Sequence, residues 1–238
     1  MVNIALIEDD RYMQEIIRAC MEKEIRASEK VKIEIFDEAE DFQKVLMKGE
    51  QYQIVFSDIE LGGMNGITLA KVLQEKWPET YVIFVTAYSE YAVESYRLDA
   101  YQYILKEEME ERLPIILRTV LNKIERERKR FCILKREDER EKVFYKDIIY
   151  IIKSKAAKYV RYITTNGEFR ERSTLQMVIK ELNDDDFLKA DRGCIVNIKH
   201  IYKIKGNIIF MDNGAQIPVS RGNLAKVKKE INLRWSRE

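Results

Sequence analysis

The sequence contains only one histidine, His200, which argues against a histidine-based zinc site and against a Ser-His-Asp triad. Its three cysteines, Cys20, Cys132 and Cys194, are widely separated and form no Cys-x-x-Cys pair, a usage that fits a reducing cytoplasm. No apolar run is long enough to cross a membrane. The N-terminus also lacks the basic region and apolar core of a signal peptide, so a cytoplasmic protein is expected.

Net charge is nearly absent as well, at +1 over 238 residues, but the two halves of the chain differ. Residues 1–130 contain 19 Lys+Arg and 26 Asp+Glu, a balance of −7, whereas residues 131–238 contain 23 and 15, a balance of +8. The length allows two modest globular domains. A basic half favours contact with a polyanion, and a chance imbalance of surface charge is the alternative.

The first half alternates strand-like and helix-like segments. The strand-like segments are Asn3–Ile7, Lys32–Phe36, Ile54–Ser57, Tyr81–Thr86 and Tyr101–Leu105. Helical periodicity lies between them, with Asp10 and Ser89 placed to cap the first and fourth helices, and a fifth helix starts near Met109. Five such units predict a doubly wound, five-stranded parallel sheet with helices on both faces.

Two of these strands end in carboxylates. Ile54–Ser57 runs directly into Asp58 and a Gly-rich turn, and Asn3–Ile7 runs into Glu8 and Asp9. Ligands of open α/β sheets bind at the carboxyl ends of the strands, so three or four carboxylates are expected to converge there if the two strands are neighbours. Such a cluster repels itself and requires a hard cation, for which Mg²⁺ is suited.

The second half has short β-prone segments separated by turn dipeptides. Asn166-Gly167, Gly206-Asn207 and Asn213-Gly214 favour hairpins. The predicted strands are Ile148–Lys153, Lys158–Thr164, Glu168–Glu171, Cys194–Asn197, Ile201–Lys205, Ile208–Met211 and Gln216–Val219. Thr174 and Ser220 are placed to cap two short helices. A mostly antiparallel β domain is therefore expected over residues 135–238, after a linker over residues 127–134.

Residues 1–126 resemble the receiver domain of two-component response regulators. The residues that carry the resemblance stand in order at the ends of successive strands: Glu8-Asp9, Asp58, Thr86, and then Tyr103 three residues before Lys106. The resemblance implies a flavodoxin-like fold. It also implies that the carboxylate of Asp58 attacks the phosphorus of a phosphohistidine on a partner sensor histidine kinase.

The same resemblance implies a role for each remaining residue. Mg²⁺ would be bound by Glu8, Asp9, Asp58 and, through its backbone carbonyl, Glu60. Lys106 would pair with one phosphoryl oxygen, and the hydroxyl of Thr86 would hydrogen-bond another. When Thr86 moves toward the phosphoryl group, Tyr103 would rotate inward and change the surface around the fourth helix and fifth strand.

Two features depart from the receiver pattern. Glu107 stands where a proline usually follows the lysine, and the usual Asp-x-x-Met-Pro-Gly turn reads Asp58-Ile59-Glu60-Leu61-Gly62-Gly63. The segment after Lys106 is therefore expected to lack a cis-proline bend and to be looser. Glu107, Glu108, Glu110 and Glu111 add negative charge near the site.

Residues 135–238 resemble the LytTR-type DNA-binding domain. The stretch 187–197, Phe-Leu-Lys-Ala-Asp-Arg-Gly-Cys-Ile-Val-Asn, is close to that family's pattern Phe-x-Arg-x-His-Arg-Ser-x-x-Val-Asn. Lys189, Asp191 and Gly193 replace the family's Arg, His and Ser. The resemblance implies that loops between strands, rather than a recognition helix, enter successive major grooves of double-stranded DNA.

The resemblance gives three candidates for base contacts: Lys158, Arg192 and Arg221. Arg bonds bidentately to a guanine edge, whereas Lys reaches guanine or phosphate. The candidates for phosphate contacts are Lys153, Lys155, Lys189 and Asn223. Asp191 is expected to face away from DNA or to read a cytosine amine.

The sequence thus predicts a phosphorylation-controlled, sequence-specific transcription regulator that is not an enzyme. Phosphorylation at Asp58 would favour a homodimer, which would bind paired DNA repeats roughly one helical turn apart or a multiple of that. One alternative is an aspartate-nucleophile phosphohydrolase, for which Glu60 stands two residues after the nucleophile. Another is a regulator independent of phosphorylation, which the unusual Glu107 favours.

Overall fold

The computed structural model describes residues 1–25, 30–136, 139–154 and 157–236. The chain divides into two compact units, Met1–Glu125 and Arg126–Glu238. Among the described helices, none combines the length and the apolar character of a membrane span. Cys20, Cys132 and Cys194 are free thiols.

The first unit contains a parallel sheet. Its strands are β1 (Val2–Ile7), β2 (Val31–Phe36), β3 (Ile54–Ser57), β4 (Tyr81–Thr86) and β5 (Gln102–Leu105). They pair in the order β2-β1-β3-β4-β5, so the predicted five-stranded, flavodoxin-like sheet is confirmed. β1 and β3 are neighbours, with Ile7 paired to Ser57, so the residues that follow these strands meet at one edge.

Helices cover both faces of this sheet. They are α1 (Arg11–Glu24), α2 (Ala39–Met47), α3 (Gly66–Lys76), α4 (Ala92–Arg97) and α5 (Met109–Lys129). α1 and α5 pack on one apolar core, and α2 and α3 pack on the other. Phe56 and Phe84 are fully buried in these two cores, and each such side chain stabilises the fold by about 1.5–3 kcal/mol.

Local capping follows the sequence only in part. Asp10 Oδ1 accepts a hydrogen bond from Tyr12 N at 2.8 Å and caps α1 as predicted. The prediction that Ser89 caps α4 is wrong, because a turn intervenes and Tyr91 is the N-cap residue. After Lys106 the chain forms a 3-10 turn that leads directly into α5, and no described peptide bond is cis.

The second unit is antiparallel, as predicted. Its strands are β6 (Phe131–Arg136), β7 (Glu139–Phe144), β8 (Ile148–Ile152), β9 (Val160–Thr164), β10 (Gly167–Glu171), β11 (Phe187–Lys189), β12 (Cys194–Asn197), β13 (Ile201–Lys205), β14 (Ile208–Met211) and β15 (Gln216–Pro218). They form sheets in the orders β10-β9-β8-β12-β11, β13-β14-β15 and β6-β7. The β6–β7 hairpin was not predicted, because its many charged residues hide the few that are buried, such as Leu134 and Val143.

Two cores lie on opposite faces of the five-stranded sheet of this unit. One contains the β6–β7 hairpin and α6 (Leu175–Leu182), and the other contains the three-stranded sheet and α7 (Arg221–Trp235). Thr174 caps α6 as predicted, whereas Ser220 occupies the N-cap position of α7 without a side-chain hydrogen bond. His200 is packed, with its ring nitrogens on Asp212 Oδ2 (2.5 Å) and a backbone carbonyl (2.7 Å).

Candidate functional site

Three charged residues meet at the carboxyl edge of the parallel sheet. Asp58 follows β3, and its backbone N–H donates to the carbonyl of Ile7 at 2.9 Å, which brings it beside Glu8. Lys106 follows β5, and its Nζ lies 2.6 Å from Asp58 Oδ2 and 3.0 Å from Glu8 Oε1. Glu8 is 1% exposed and Asp58 5% exposed, so this is a buried ion-paired cluster.

The cluster has more negative than positive charge. Burial raises the pKa of the Glu8 carboxyl, and Lys106 offsets only part of that shift. Burial lowers the pKa of Lys106, but its hydrogen bonds to Asp58 and Glu8 outweigh this effect, so its pKa is raised and the ammonium stays charged. Two buried carboxylates thus share one cation, an arrangement that favours a further positive charge.

Asp9 and Glu60, the other residues expected at a cation site, do not join this contact. Asp9 is exposed, and its Oδ2 would lie 3.8 Å from a Cβ placed on Gly62 in the loop after Asp58. Glu60 Oε1 accepts a hydrogen bond from the Tyr91 hydroxyl at 2.7 Å. No group of three His, Cys, Asp or Glu side chains within the described ranges is arranged to bind a metal, so two carboxylates meet rather than three or four.

Thr86 and Tyr103 both contact Tyr88, just after β4. Thr86 is fully buried, and its Oγ1 accepts a long hydrogen bond of 3.5 Å from Tyr88 N. The half-buried ring of Tyr103 packs against Phe84 with 6.2 Å between centroids, and its hydroxyl donates to the Tyr88 carbonyl. Burial raises the pKa of Tyr103 to about 12, so the hydroxyl keeps its proton.

Sequence reasoning missed residues that hold the cluster in place. The buried Gln14 on α1 donates from Nε2 to the carbonyl of Glu8 at 2.6 Å. A Cβ on Gly66, the first residue of α3, would lie 2.1 Å from the Asp58 carbonyl oxygen, so only glycine fits there. The Gly-rich turn after Asp58 was a signal for Gly66, but Gln14 lies in no recognisable motif.

In the second unit three segments lie side by side at one edge. Lys153, after β8, donates from its backbone N to the carbonyl of Gly193 at 2.9 Å. Asn223, in the first turn of α7, donates from Nδ2 to the carbonyl of Ala190 at 3.4 Å. These contacts join the loop after β8, the turn before β12 and the start of α7, which contain all three candidates for base contacts.

These three candidates are exposed cations. Lys158, Arg192 and Arg221 have neither an ion pair nor a hydrogen bond of their side chains to the described part of the chain. Asp191 is different, because its Oδ1 accepts a hydrogen bond from Gly193 N at 2.7 Å and is folded into the turn.

The phosphate-contact candidates are less uniform. Lys189 is exposed, whereas Lys153 is half-buried and its ammonium donates to the carbonyl of Ser173 at 2.5 Å. Asn223 is also half-buried and is occupied by its contact with Ala190. Lys155 lies outside the described residues.

Two protein-family models match the chain in succession. Residues 4–118 match the response regulator receiver domain, and residues 138–232 match the LytTr DNA-binding domain. The chain is a response regulator with a LytTR DNA-binding domain. The buried acidic cluster lies in its receiver domain and the exposed basic edge in its LytTR domain.

Known relatives resemble the response regulator over most of its length. It is 26% identical to Sensory transduction protein LytT of Bacillus subtilis (strain 168), over 98% of this chain and 100% of the relative. It is 28% identical to Sensory transduction protein LytT of Bacillus anthracis, over 98% of this chain and 100% of the relative. Transcriptional regulatory protein LytR of Staphylococcus aureus (strain N315) is 26% identical over 96% of this chain and 99% of the relative.

Proposed function

We propose that this response regulator accepts a phosphoryl group on Asp58 from a phosphohistidine of a sensor histidine kinase, and that this modification controls transcription in the cytoplasm. The contact of Lys106 Nζ with Asp58 Oδ2 at 2.6 Å carries the proposal. A carboxylate can act as a covalent acceptor, and a fixed ammonium neutralises charge on the transferring phosphoryl oxygens.

Mg²⁺ is the proposed cofactor of the same cluster. Glu8 and Asp58 offer buried carboxylate oxygens that suit a hard cation, and the exposed carboxylate of Asp9 and the backbone carbonyl of Glu60 are the further proposed ligands. Glu8 Oε2 is buried and lies 2.8 Å from Lys106 Nζ, but it accepts no hydrogen bond within the described residues. When bound, Mg²⁺ would supply positive charge to the phosphoryl oxygens.

Thr86 and Tyr103 are proposed to form the switch. Both contact Tyr88, so movement of the Thr86 hydroxyl toward a phosphoryl oxygen would break its 3.5 Å contact with Tyr88 N. The hydrogen bond from Tyr103 to the Tyr88 carbonyl would then lose its fixed acceptor. Phosphorylation would thereby change the surface around α4 and β5 and favour a homodimer.

Labelling of the full chain tests the acceptor. With radiolabelled acetyl phosphate and Mg²⁺, the wild-type protein should take up a stable label that chelation of Mg²⁺ prevents. Asp58→Asn should remove the label, whereas Asp41→Asn, at an exposed carboxylate paired with Lys44, should retain it. Label on the Asp58→Asn protein would show that the acceptor assignment is wrong.

The same measurement separates a regulator from a phosphohydrolase. A hydrolase of the aspartate type needs an acid near its nucleophile, but Glu60 is hydrogen-bonded by Tyr91 at 2.7 Å. We therefore expect a long-lived phosphoaspartate and no multiple turnover of an external phosphoester. Turnover by the wild-type protein that Glu60→Gln abolishes would favour the hydrolase.

The DNA-binding proposal rests on the exposed basic edge of the LytTR domain. Lys158, Arg192 and Arg221 would contact bases, because none is paired within the described chain and all are free to bond guanine or phosphate. Lys153, Lys155, Lys189 and Asn223 are the proposed phosphate contacts. Two linked LytTR domains would bind paired repeats roughly one helical turn apart or a multiple of that, with gain from avidity.

Selection of duplexes from a randomised pool tests this proposal. The full chain with beryllofluoride and Mg²⁺, which mimic the phosphoryl group, should enrich two copies of one motif at a fixed spacing. Enrichment of a single copy would contradict binding as a pair. Equal affinity for the selected duplex with and without beryllofluoride, in the wild type and in Asp58→Asn, would instead support a regulator independent of phosphorylation.

A further inference from the structure

The second unit contains a cleft of about 1070 Å³ between the β6–β7 hairpin and β10, with Tyr159 and Arg172 also in its lining. None of the described residues that are proposed above to contact DNA lines this cleft. Its walls carry four basic side chains: Lys135, Arg140, Arg170 and Arg172. Their convergence on one concave surface points to an anionic ligand.

The two glutamates in the cleft are already occupied. Glu168 accepts hydrogen bonds from Arg161 at 2.5 Å and from Arg170 at 2.8 Å. The guanidinium of Arg161, followed by that of Arg170, lowers the pKa of Glu168 to about 2. Glu171 accepts a hydrogen bond from the Tyr162 hydroxyl at 3.1 Å. Both acids thus have donors of their own.

The remaining cations are available to a ligand. Lys135, Arg140 and Arg172 are exposed, and no ion pair joins any of them to the described part of the chain. Lys135 and Arg140 are paired across the hairpin, so their side chains stand together on one wall. With Arg170 engaged by Glu168, these three residues provide the excess positive charge of the cleft.

The cleft adjoins the proposed base-contact edge. Arg172 immediately precedes Ser173, whose carbonyl accepts a hydrogen bond from the ammonium of Lys153 at 2.5 Å. Tyr159 lines the cleft and immediately follows Lys158 in the chain. Its ring is 50% exposed and offers an apolar surface beside the cations. One end of the cleft therefore lies at the loop that carries Lys158.

We propose that this cleft is a second DNA contact that holds the phosphodiester backbone beside the bases contacted by Lys158. The inference rests on the proposed DNA binding and extends its surface to Lys135, Arg140 and Arg172. Duplex DNA carries one negative charge per about 1.7 Å of axis, so a duplex that continues past the base-contact loop brings phosphates to these cations. Continuity with that loop favours DNA over an acidic protein segment.

Salt dependence of binding tests the cleft. The full-length Lys135→Gln/Arg172→Gln variant is compared with wild type on a mixed-sequence duplex several helical turns long. The plot of log affinity against log salt should become shallower by about 0.9 for each phosphate that the variant no longer neutralises, nearly 2 in total. The charge-matched control is Lys180→Gln/Lys229→Gln, which removes two exposed lysines outside the cleft and should keep the wild-type slope. Arg140→Gln alone should reduce the slope by about 0.9.

The outcomes separate the cleft from the base-contact edge. If the cleft variant and the control have the same salt slope, the proposed role of the cleft is wrong. In that case, a loss of DNA affinity caused by Arg192→Ala would still support the proposed DNA function. If wild-type binding itself does not respond to salt, the proposed function fails first. Binding of a poly-glutamate peptide that the cleft variant loses, with the wild-type slope on DNA retained, would overturn the proposal in favour of an acidic protein partner.

Discussion

The two domains use their basic residues in opposite ways. In the receiver domain the side chain of Lys106 is 19% exposed and contacts two buried carboxylates. In the LytTR domain Arg192 and Arg221 are exposed and have no partner in the described chain. A cation held in a poorly solvated cluster attracts a small anionic group strongly, because little solvent screens the charge of the cation. An unpaired cation on the surface instead suits a polyanion that brings its own charge.

The second unit also contains a half-buried, ion-paired cation, Arg130, which refines this contrast. Arg130 contacts both oxygens of Asp184 at 2.7 Å, and it lies 2.5 Å from a carboxylate oxygen of Asp186. Burial raises the pKa of Asp186, but Arg130 and Lys199 outweigh it, so the pKa is lowered. The pKa of Glu8 is shifted in the opposite direction, because the effect of burial, which raises it, outweighs the effect of Lys106, which lowers it. The cations around Asp186 compensate its negative charge. In the receiver cluster, by contrast, Lys106 does not compensate the negative charge of both Glu8 and Asp58.

The largest effect on folding should come from Lys106→Met. The substitution leaves Glu8 and Asp58 as adjacent buried carboxylates, and loss of one partner of such a cluster costs about 3 kcal/mol. Urea unfolding of the full chain measures the change in free energy. Lys71→Met is the control, because Lys71 is 53% exposed in its pair with Glu94 and should cost almost nothing.

The cost of Lys106→Met should also shrink in acid. The pKa of Glu8 is raised, so protonation of this carboxyl removes negative charge from the cluster before ordinary glutamates titrate. If the Lys106→Met protein were as stable as wild type at neutral pH, the stability of the cluster would not depend on the positive charge of Lys106. The contrast between the two domains would then reduce to a difference in exposure.

The next effect should come from Gly66→Ala. Its Cβ would lie 2.1 Å from the Asp58 carbonyl oxygen and 2.9 Å from Ser57 Oγ, so the end of β3 must move. Such overpacking costs about 1–3 kcal/mol. Gly222→Ala is the matched control, because that glycine also lies in the first turn of a helix and has nothing within 4 Å of the added Cβ. Equal stability of both variants would show that the loop after Asp58 has room to adjust.

The loop after Asp58 shows what the sequence could and could not predict. Glu8 and Asp58 were predictable, because each directly follows an apolar strand and parallel strands end at one edge, whereas Lys106 was predicted from the resemblance to receiver domains. Glu40 was not, although its Oε1 accepts a hydrogen bond from Met64 N at 2.8 Å and holds this loop. Glu40 lies on α2, far from this loop in the chain, and a contact between distant segments produces no pattern in the local sequence.

Some strands of the LytTR domain were also predictable from the sequence and others were not. The Asn166-Gly167 hairpin was predictable, because an Asn-Gly dipeptide between β-prone segments favours a tight turn, and Gly167 has φ of +118°, which favours glycine. The β6–β7 hairpin was not, because only one face is buried and charged residues occupy the other. β11 has three residues, too few for an alternating pattern. The cleft that this hairpin forms with β10 was therefore not predictable either.

A smaller, pH-dependent effect should come from Asp186→Asn in the LytTR domain. Because the folded pKa of Asp186 is lowered, its ion pairs stabilise the fold above the ordinary aspartate pKa, near 3.9, and this contribution is lost as pH falls through the folded pKa. At neutral pH the variant should lose about 1.5 kcal/mol. Unfolding measured between neutral pH and strong acid should show the difference from wild type disappearing.

The neighbouring residue provides the control for this pH dependence. Asp185 is 93% exposed in its contact with Arg234, so Asp185→Asn should match wild type at every pH. A constant difference between Asp186→Asn and wild type down to strong acid would show that shape, rather than charge, explains the loss. Arg130 would then not be an example of a compensated structural pair.

The smallest effect on folding should come from Arg192→Ala, because this side chain is exposed and has no partner in the described residues. We expect a change in unfolding free energy within about 0.5 kcal/mol. The same variant should lose about 1–3 kcal/mol of discrimination between a selected duplex and a scrambled one, because the proposed bidentate contact to guanine would be removed. Titration of both duplexes at one salt concentration measures this difference. Equal losses on the two duplexes would make Arg192 a phosphate contact, and a large loss of stability would mean that this arginine, like Arg130, is part of the fold.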